Sequence, residues 1–370
     1  MISQIAVRFL ALPLCLGLLA ICASRQKPAH AAQTRPISWT DILKQKSEWY
    51  GSAEAVRIAD NVVLYQRDTG GWPKNIDMAK VLTEFEVATI IKQKQELDSN
   101  IDNGATYTQL TYLARVYQAT KLERHKEAFL RGLDYLLKAQ YDNGGWPQYF
   151  PNSKGYYRHI TFNDGAMIGV MKLLRDIAQK KTAYVFVDDS RRSKAGQAVE
   201  KGIELILKSQ VMVKGQRTAW GAQHDEVTLA PAPARTFEPV SLASAESVGI
   251  VRFLMSLNQP NQQVIDAVEF AVKWFEQSKI PGIRWMEKPD TAKPGNFERV
   301  VVEDKDAEPI WARFYEIETN RAVFVGRDSV VKYKVEEIEE ERRNGYRWYV
   351  DDPAQLLNKD YPAWLKKWPH

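Results

Sequence analysis

Apolar positions along the chain recur three and four residues apart, the spacing that lines one face of an α-helix. In DNGATYTQLTYLARVYQAT (102–120), Leu110, Leu113, Ala114 and Tyr117 share a face. The same period runs through 53–68, 124–142, 162–179, 195–212, 242–259 and 262–279. These segments alternate in character. VEKGIELILKSQ carries charges opposite its apolar stripe, as an outer helix does, whereas GAMIGVMKLL is small and apolar, as an inner helix is. Strand-like alternation is confined to AYVFVD (183–188) and RAVFVG (321–326).

The outer segments run into a recurring turn. DTGGWPKN (68–75) and DNGGWPQY (142–149) place Trp72 and Trp146 74 residues apart, and the same interval again reaches Trp220 in RTAWGAQHD. A period of this size indicates stacked supersecondary units. The predicted fold is all-α: an (α/α) toroid of outer and inner helical hairpins with minor short strands, an open helical solenoid being the alternative. In a toroid every outer-to-inner loop emerges at one mouth, so the turns would line one cleft. Their glycines permit a left-handed exit from the helix and the proline stops its continuation. The tryptophans are expected to pack beneath the turns rather than face the cleft.

Composition adds an address. Residues 1–31 combine one early charge, Arg8, an apolar run from Phe9 to Ala23 and a small-x-small site at Ala29-His30-Ala31, the layout of a secretory signal peptide. Residues 32–370 then form a single catalytic domain, exported to the periplasm or beyond. The apolar run is short for a membrane span, and Ile21 is bulky for lipid attachment at Cys22, so no stable membrane association is expected. Both cysteines, Cys15 and Cys22, lie in the leader, which leaves no mature disulfide or thiolate metal site. The formal net charge of +5 includes Arg8, Arg25 and Lys27 of the leader, and what remains is no footprint of a nucleic-acid binder. The chain carries 11 Trp and 16 Tyr, enough aromatic surface to line a sugar-binding cleft as well as a core.

The inner helices open with a second pattern, NIDNGAT (100–106) and TFNDGAM (161–167). Singly, Asp102, Asn103, Asn163 and Asp164 read as N-caps. Together at one mouth, their oxygens are what a hard cation such as Ca²⁺ requires. Zinc is not expected in a chain with five histidines and no His-x-x-x-His spacing. The long loop AWGAQHDEVTLAPAPARTFEPVSLASAES brings His224, Asp225, Glu226, Arg235 and Glu238, and loops of that length tend to be functional. Further on, Arg313, Arg321, Arg327 and Lys332 stand among aromatics and suit carboxylate recognition. The plainer reading pairs them with the glutamates of VEEIEEERRNGYRWY. An acidic polysaccharide fits this combination.

GGWPKNIDM, IDNGATYTQLTYLARVY, YDNGGWPQYFP, FNDGAM, AWGAQHDEVTLAPAPARTFEPVSL and WARFYEIETNRAVFVGRDSVVKY together resemble the pectate lyases of polysaccharide lyase family ten. The resemblance runs from about Trp39 to Trp348. It implies a toroid that cleaves polygalacturonate by calcium-assisted β-elimination, leaving 4,5-unsaturated ends. By motif, Asp102, Asn103 and Asp164 resemble the calcium-site residues, Arg321 the catalytic base and Arg235 a binder of substrate carboxylate. Lys74, His224, Glu238, Arg313 and Arg327 complete the candidate substrate contacts, and a monomer is expected. Two other readings remain open at this point: an inverting toroid glycoside hydrolase, using Asp102 with Asp164 or Asp225 with Glu238, and a non-catalytic uronate-binding protein.

Overall fold

The periodic segments fold as eight principal helices in the computed structural model, which describes residues 37–152, 154–290 and 295–368. They are α1 (Ala53–Tyr65), α2 (Glu84–Lys92), α3 (Tyr107–Thr120), α4 (Glu123–Ala139), α5 (Ala166–Ala178), α6 (Asp189–Ser209), α7 (Ser244–Met255) and α8 (Gln262–Gln277). The expected signal peptide lies outside the described residues. From Ile37 onward the chain is one compact unit.

Helices α1, α4, α6 and α8 form the outer set, and α3, α5 and α7 the inner set. The inner helices touch in order, α3 against α5 and α5 against α7, while each also packs on the outer helix that follows it. The composition explains the layering. Ala166, Met167, Val170, Met171, Leu174 and Ile177 of α5 are buried along one broad side, and Ile168 and Leu173 beyond its two edges are buried too, as an element sandwiched between two layers requires. This is the (α/α) toroid the periodicity predicts.

The two helix sets also begin differently. Ser52, Asp188 and Asn261 cap α1, α6 and α8 by accepting the backbone N–H of Ala55, Arg191 and Val264 at 3.1, 2.9 and 3.0 Å. None of the inner helices has a side-chain cap. Asp102–Gly104 and Asn163–Gly165 instead form short 3₁₀ turns ahead of α3 and α5, so Asp102 and Asp164 are not N-caps.

The repeated turn is a structural clasp. Trp72, Trp146 and Trp220 are fully buried, and each indole N–H donates to a carbonyl of the preceding outer helix: Val62, Leu136 and Ile206, at 2.7, 2.8 and 2.8 Å. Trp311 does the same to Phe275 of α8 at 2.8 Å, a fourth copy whose spacing hid it in the sequence. A glutamine follows each of three outer helices. Gln66, Gln140 and Gln210 each donate to a carbonyl within their own turn and to Ala128, Ala198 or Ala267 on the next outer helix. Gly70 takes φ +97°, and a Cβ there would stand 2.6 Å from the Arg131 carbonyl, so the position needs glycine twice over.

Strands are few and short. AYVFVD is not one: Thr182–Tyr184 is a 3₁₀ turn and Asp188 already caps α6, because the next amphipathic helix starts there. RAVFVG contributes only Phe324–Val325, paired antiparallel with Val331–Lys332. The longest sheet is a hairpin of Ile283–Pro289 with Phe297–Glu303, which lacks clean alternation and was not legible in the sequence.

Candidate active site

The two 3₁₀ turns that precede α3 and α5 pack on one another, which brings the Asp-Asn pairs together. Asn103 and Asp164 both adopt left-handed backbone angles, φ 50° and 48°. Asn and Asp tolerate this conformation better than other side chains, and each of the two turns has one of them in it. Asn163 Nδ2 donates to Asp102 Oδ1 at 3.3 Å and to Asp164 Oδ2 at 2.8 Å. Asn103 is exposed and donates to Asn75 at 2.9 Å.

Asp102 is the buried member, only 3% exposed. Its Oδ2 accepts from Lys74 Nζ at 2.5 Å and Gln148 Nε2 at 2.8 Å. Burial pulls the Lys74 pKa down, but the hydrogen bond and charge of Asp102 outweigh it, and the net shift is upward. Beside them lies an open cavity of about 310 Å³, lined by Trp39, Lys74, Asn75, Ile76, Asn103 and Gln109 among others. Tyr107, in the first turn of α3, has its hydroxyl pKa pushed up to about 12, chiefly by burial and then by the charges of Asp102 and Asp164.

Asp164 is half exposed and meets Arg313. One nitrogen, Arg313 Nη2, lies 3.1 Å from Asp164 Oδ1, 3.2 Å from Asn163 Oδ1 and 2.5 Å from Glu246 Oε1. Arg313 is buried, yet the carboxylates and the Tyr346 hydroxyl around it raise its pKa against that burial. The Arg313 guanidinium stands 4.9 Å from the Tyr346 ring, and the Tyr346 hydroxyl donates to Glu238 Oε1 at 3.2 Å. Glu238 in turn holds Arg235 in a two-pronged bond, 2.9 Å to Nε and 2.6 Å to Nη2. That bond raises the Arg235 pKa; Glu238, which burial would push up, is held low by Arg235. Arg235, Arg327 and Arg342 surround the Phe237 ring at 4.8, 5.0 and 4.1 Å, so a continuous run of contacts joins Asp164 to Arg235 of the long loop and on to Arg327 and Arg342.

Several sequence candidates have partners outside this run. Arg321 is exposed, stacked 3.5 Å above the Tyr333 ring. Arg327 pairs with Glu341 at 2.8 Å, the plainer partner the glutamate-rich segment offered. His224 is fully buried: its Nε2 accepts the Gly221 N–H at 3.0 Å and its Nδ1 donates to the Leu229 carbonyl at 2.8 Å. Burial lowers its pKa to about 4. His224 therefore shapes the long loop from within. Asp225 and Glu226 lie with His159 close enough to share a cation, and both Glu226 oxygens and Asp225 Oδ1 already have partners. Glu226 accepts from Arg158 and His159, and Asp225 Oδ1 accepts from the Val227 and Thr228 backbone.

Sequence reading missed Gln148, Glu246, Phe237, Arg342 and Tyr346. A glutamine after a Trp-Pro and a glutamate inside a helix carry no local signal; contacts across the mouth give them their place. The donor set at the mouth fits a hard cation. Asp102, Asn103, Asn163 and Asp164 offer oxygens alone, and cationic nitrogens of Lys74 and Arg313 already stand against both carboxylates.

A helical toroid whose mouth gathers carboxylates, amides and arginines in this way is the frame of a polysaccharide lyase. The pectic acid lyase family model matches residues 66–357, and the chain belongs to that family; it is a pectate lyase of polysaccharide lyase family ten. Among solved structures, the family 10 polysaccharide lyase from Cellvibrio cellulosa is 29% identical with a TM-score of 0.74, covering 88% of this chain and 95% of its own. An aspartate-to-alanine variant of that family 10 lyase, in complex with trigalacturonic acid, is 29% identical with a TM-score of 0.73 and covers 91% and 100%. No curated protein matches the sequence. Family membership removes the hydrolase and the binding protein as readings. Among the described residues no helix is long and apolar enough to cross a membrane.

Proposed function

We propose that this pectate lyase acts on polygalacturonate by calcium-assisted β-elimination, as an exported monomer, and leaves 4,5-unsaturated oligogalacturonides. The observation that carries the reading is the meeting of Asp102, Asn163 and Asp164 through direct hydrogen bonds at one mouth of the toroid. The complex of a family 10 lyase with trigalacturonic acid supports an acidic polysaccharide as ligand. Asp102, Asn103 and Asp164 would hold the ion, with Asn163 beside them. When bound, calcium supplies positive charge to a galacturonate carboxylate and so makes the adjacent C5 proton more acidic.

This chain's own residues do the rest. Lys74, Arg313, Arg235 and Arg327 place fixed positive charge along the path of a polyuronate, which orients its carboxylates and stabilises charge as it develops on one of them. Glu238 holds the Arg235 fork in place until a substrate carboxylate competes for it. His224 fixes the loop that carries both. An arginine takes the proton from C5, the C–H electrons form the C4–C5 double bond, and the C4–O bond breaks. The departing oxygen gains a proton from solvent.

Two arginines compete for the base. The family resemblance points to Arg321. Arg235 is favoured by the contact run through Glu238, Tyr346 and Arg313 to Asp164. An arginine normally stays protonated, since its pKa exceeds ~12, so either residue must lose its carboxylate or solvent partners in the complex to act. The test is the ultraviolet absorbance of unsaturated product from polygalacturonate, with and without chelator. Absorbance growth that survives complete chelation would overturn the calcium assignment.

A further inference from the structure

Glu246 is a buried carboxylate with half of its valence unspent. It lies in the first turn of α7, its side chain 2% exposed. Oε1 accepts from Arg313 Nη2 at 2.5 Å, while Oε2 is buried and has no hydrogen-bond partner. Next to it a cavity of about 220 Å³ is lined by Asp164, Glu246, Arg313, Arg347 and Asp352 among others. Arg347 is held by Asp351 and Asp352 at 3.2 and 2.6 Å.

Arg313 Nη2 carries two hydrogens, but three acceptors stand within 3.2 Å of it: Asn163, Asp164 and Glu246. The contest is unequal. An ionised carboxylate as buried as Glu246 loses heavily if its cation leaves. Asp164, whose side chain is 42% exposed, can exchange the same cation for water or another ion at little cost.

We infer that Glu246 is a positioning residue: it anchors Arg313 from the buried side, so that Asp164 can release the guanidinium and take a divalent cation instead. This rests on the calcium reading given above. Without the anchor, Asp164 is the one carboxylate left within reach of Arg313 among the described residues, and the pair must be broken before an ion can bind. The glutamate thus sets how readily the mouth accepts its cation, without touching cation or polymer.

The experiment is calcium titration of the full chain by calorimetry at neutral pH, with thermal melting alongside. Glu246→Gln is expected to raise the calcium Kd about tenfold. Adding Arg313→Met to it removes the contest and is expected to bring Kd back to within about threefold of the native value. Glu246→Asp, which keeps the charge one methylene short, gives a smaller rise and serves if the glutamine variant does not fold. A purely structural role would lower the melting temperature while leaving the calcium Kd of Glu246→Gln or Glu246→Asp unchanged, and that result overturns the inference alone. Failure of the native chain to bind calcium at millimolar concentration overturns the calcium reading and this inference together.

Discussion

Trp146→Ala tests whether the repeated tryptophan holds the toroid together or holds sugar. The indole is fully buried beneath the second Gly-Gly-Trp-Pro turn and donates to the Leu136 carbonyl at 2.8 Å. Truncating a buried aromatic of this size typically costs ~3–5 kcal/mol, from lost transfer energy and the cavity left behind. The Leu136 carbonyl also loses its donor, although water entering the cavity can compensate in part. For a domain that runs from Ile37 to His370, an unfolding entropy of about 2.1 cal/mol/K per residue makes ~1 kcal/mol worth about 1.4 °C in melting temperature, so a fall of roughly 4–7 °C is expected. Calorimetric or circular-dichroism melts measure it, and steady-state kinetics on polygalacturonate at a temperature where both proteins are folded separate the alternatives. The structural reading expects KM within about twofold of native. An unchanged melting temperature together with a large rise in KM would refute it and make Trp146 a sugar platform.

Two predictions concern other residues. His224 is buried neutral with its pKa lowered from 6.5 to about 4, so the unfolded chain binds the extra proton between those values and folding stability falls as pH drops from about 6.5 to about 4. The full shift corresponds to about 3 kcal/mol, and His224→Gln should flatten the acid limb of the melting temperature plotted against pH; an unaltered limb would remove this role. Arg321→Lys and Arg235→Lys separate the two candidate bases, because lysine keeps charge but loses the planar fork. The true base loses kcat and kcat/KM together by more than about a hundredfold, while the other variant mainly raises KM; near-native kcat in both would move the base elsewhere.

The layering of the fold was legible because amphipathic and wholly apolar helices differ residue by residue, as VEKGIELILKSQ and GAMIGVMKLL do. The turns were legible through glycine and proline, whose backbone demands are local. Trp311 plays the same part as Trp72 but was missed, since the hairpin of 283–303 intervenes and breaks the interval. At the mouth, Asp102 and Asp164 stood out by their repeated Asp-Asn-Gly context. Glu246 and Gln148 did not, because nothing near them in sequence distinguishes a helix glutamate or loop glutamine that meets a partner from 46 or more residues away. Arg313, Arg321 and Arg327 looked alike in one aromatic segment. The structure separates them: one is buried on Asp164, one stacks on Tyr333, one pairs with Glu341.

The most direct test of the account follows unsaturated product from polygalacturonate by ultraviolet absorbance, for native protein and Asp164→Ala, with calcium and with excess chelator. Asp164 is half exposed and makes no helix cap, so its removal should leave the helical circular dichroism intact. The account predicts product from the native protein with calcium, its loss in chelator and recovery on adding calcium back, and at least about a hundredfold less product from Asp164→Ala. Native-like rates from Asp164→Ala, or undiminished rates in chelator, would contradict it.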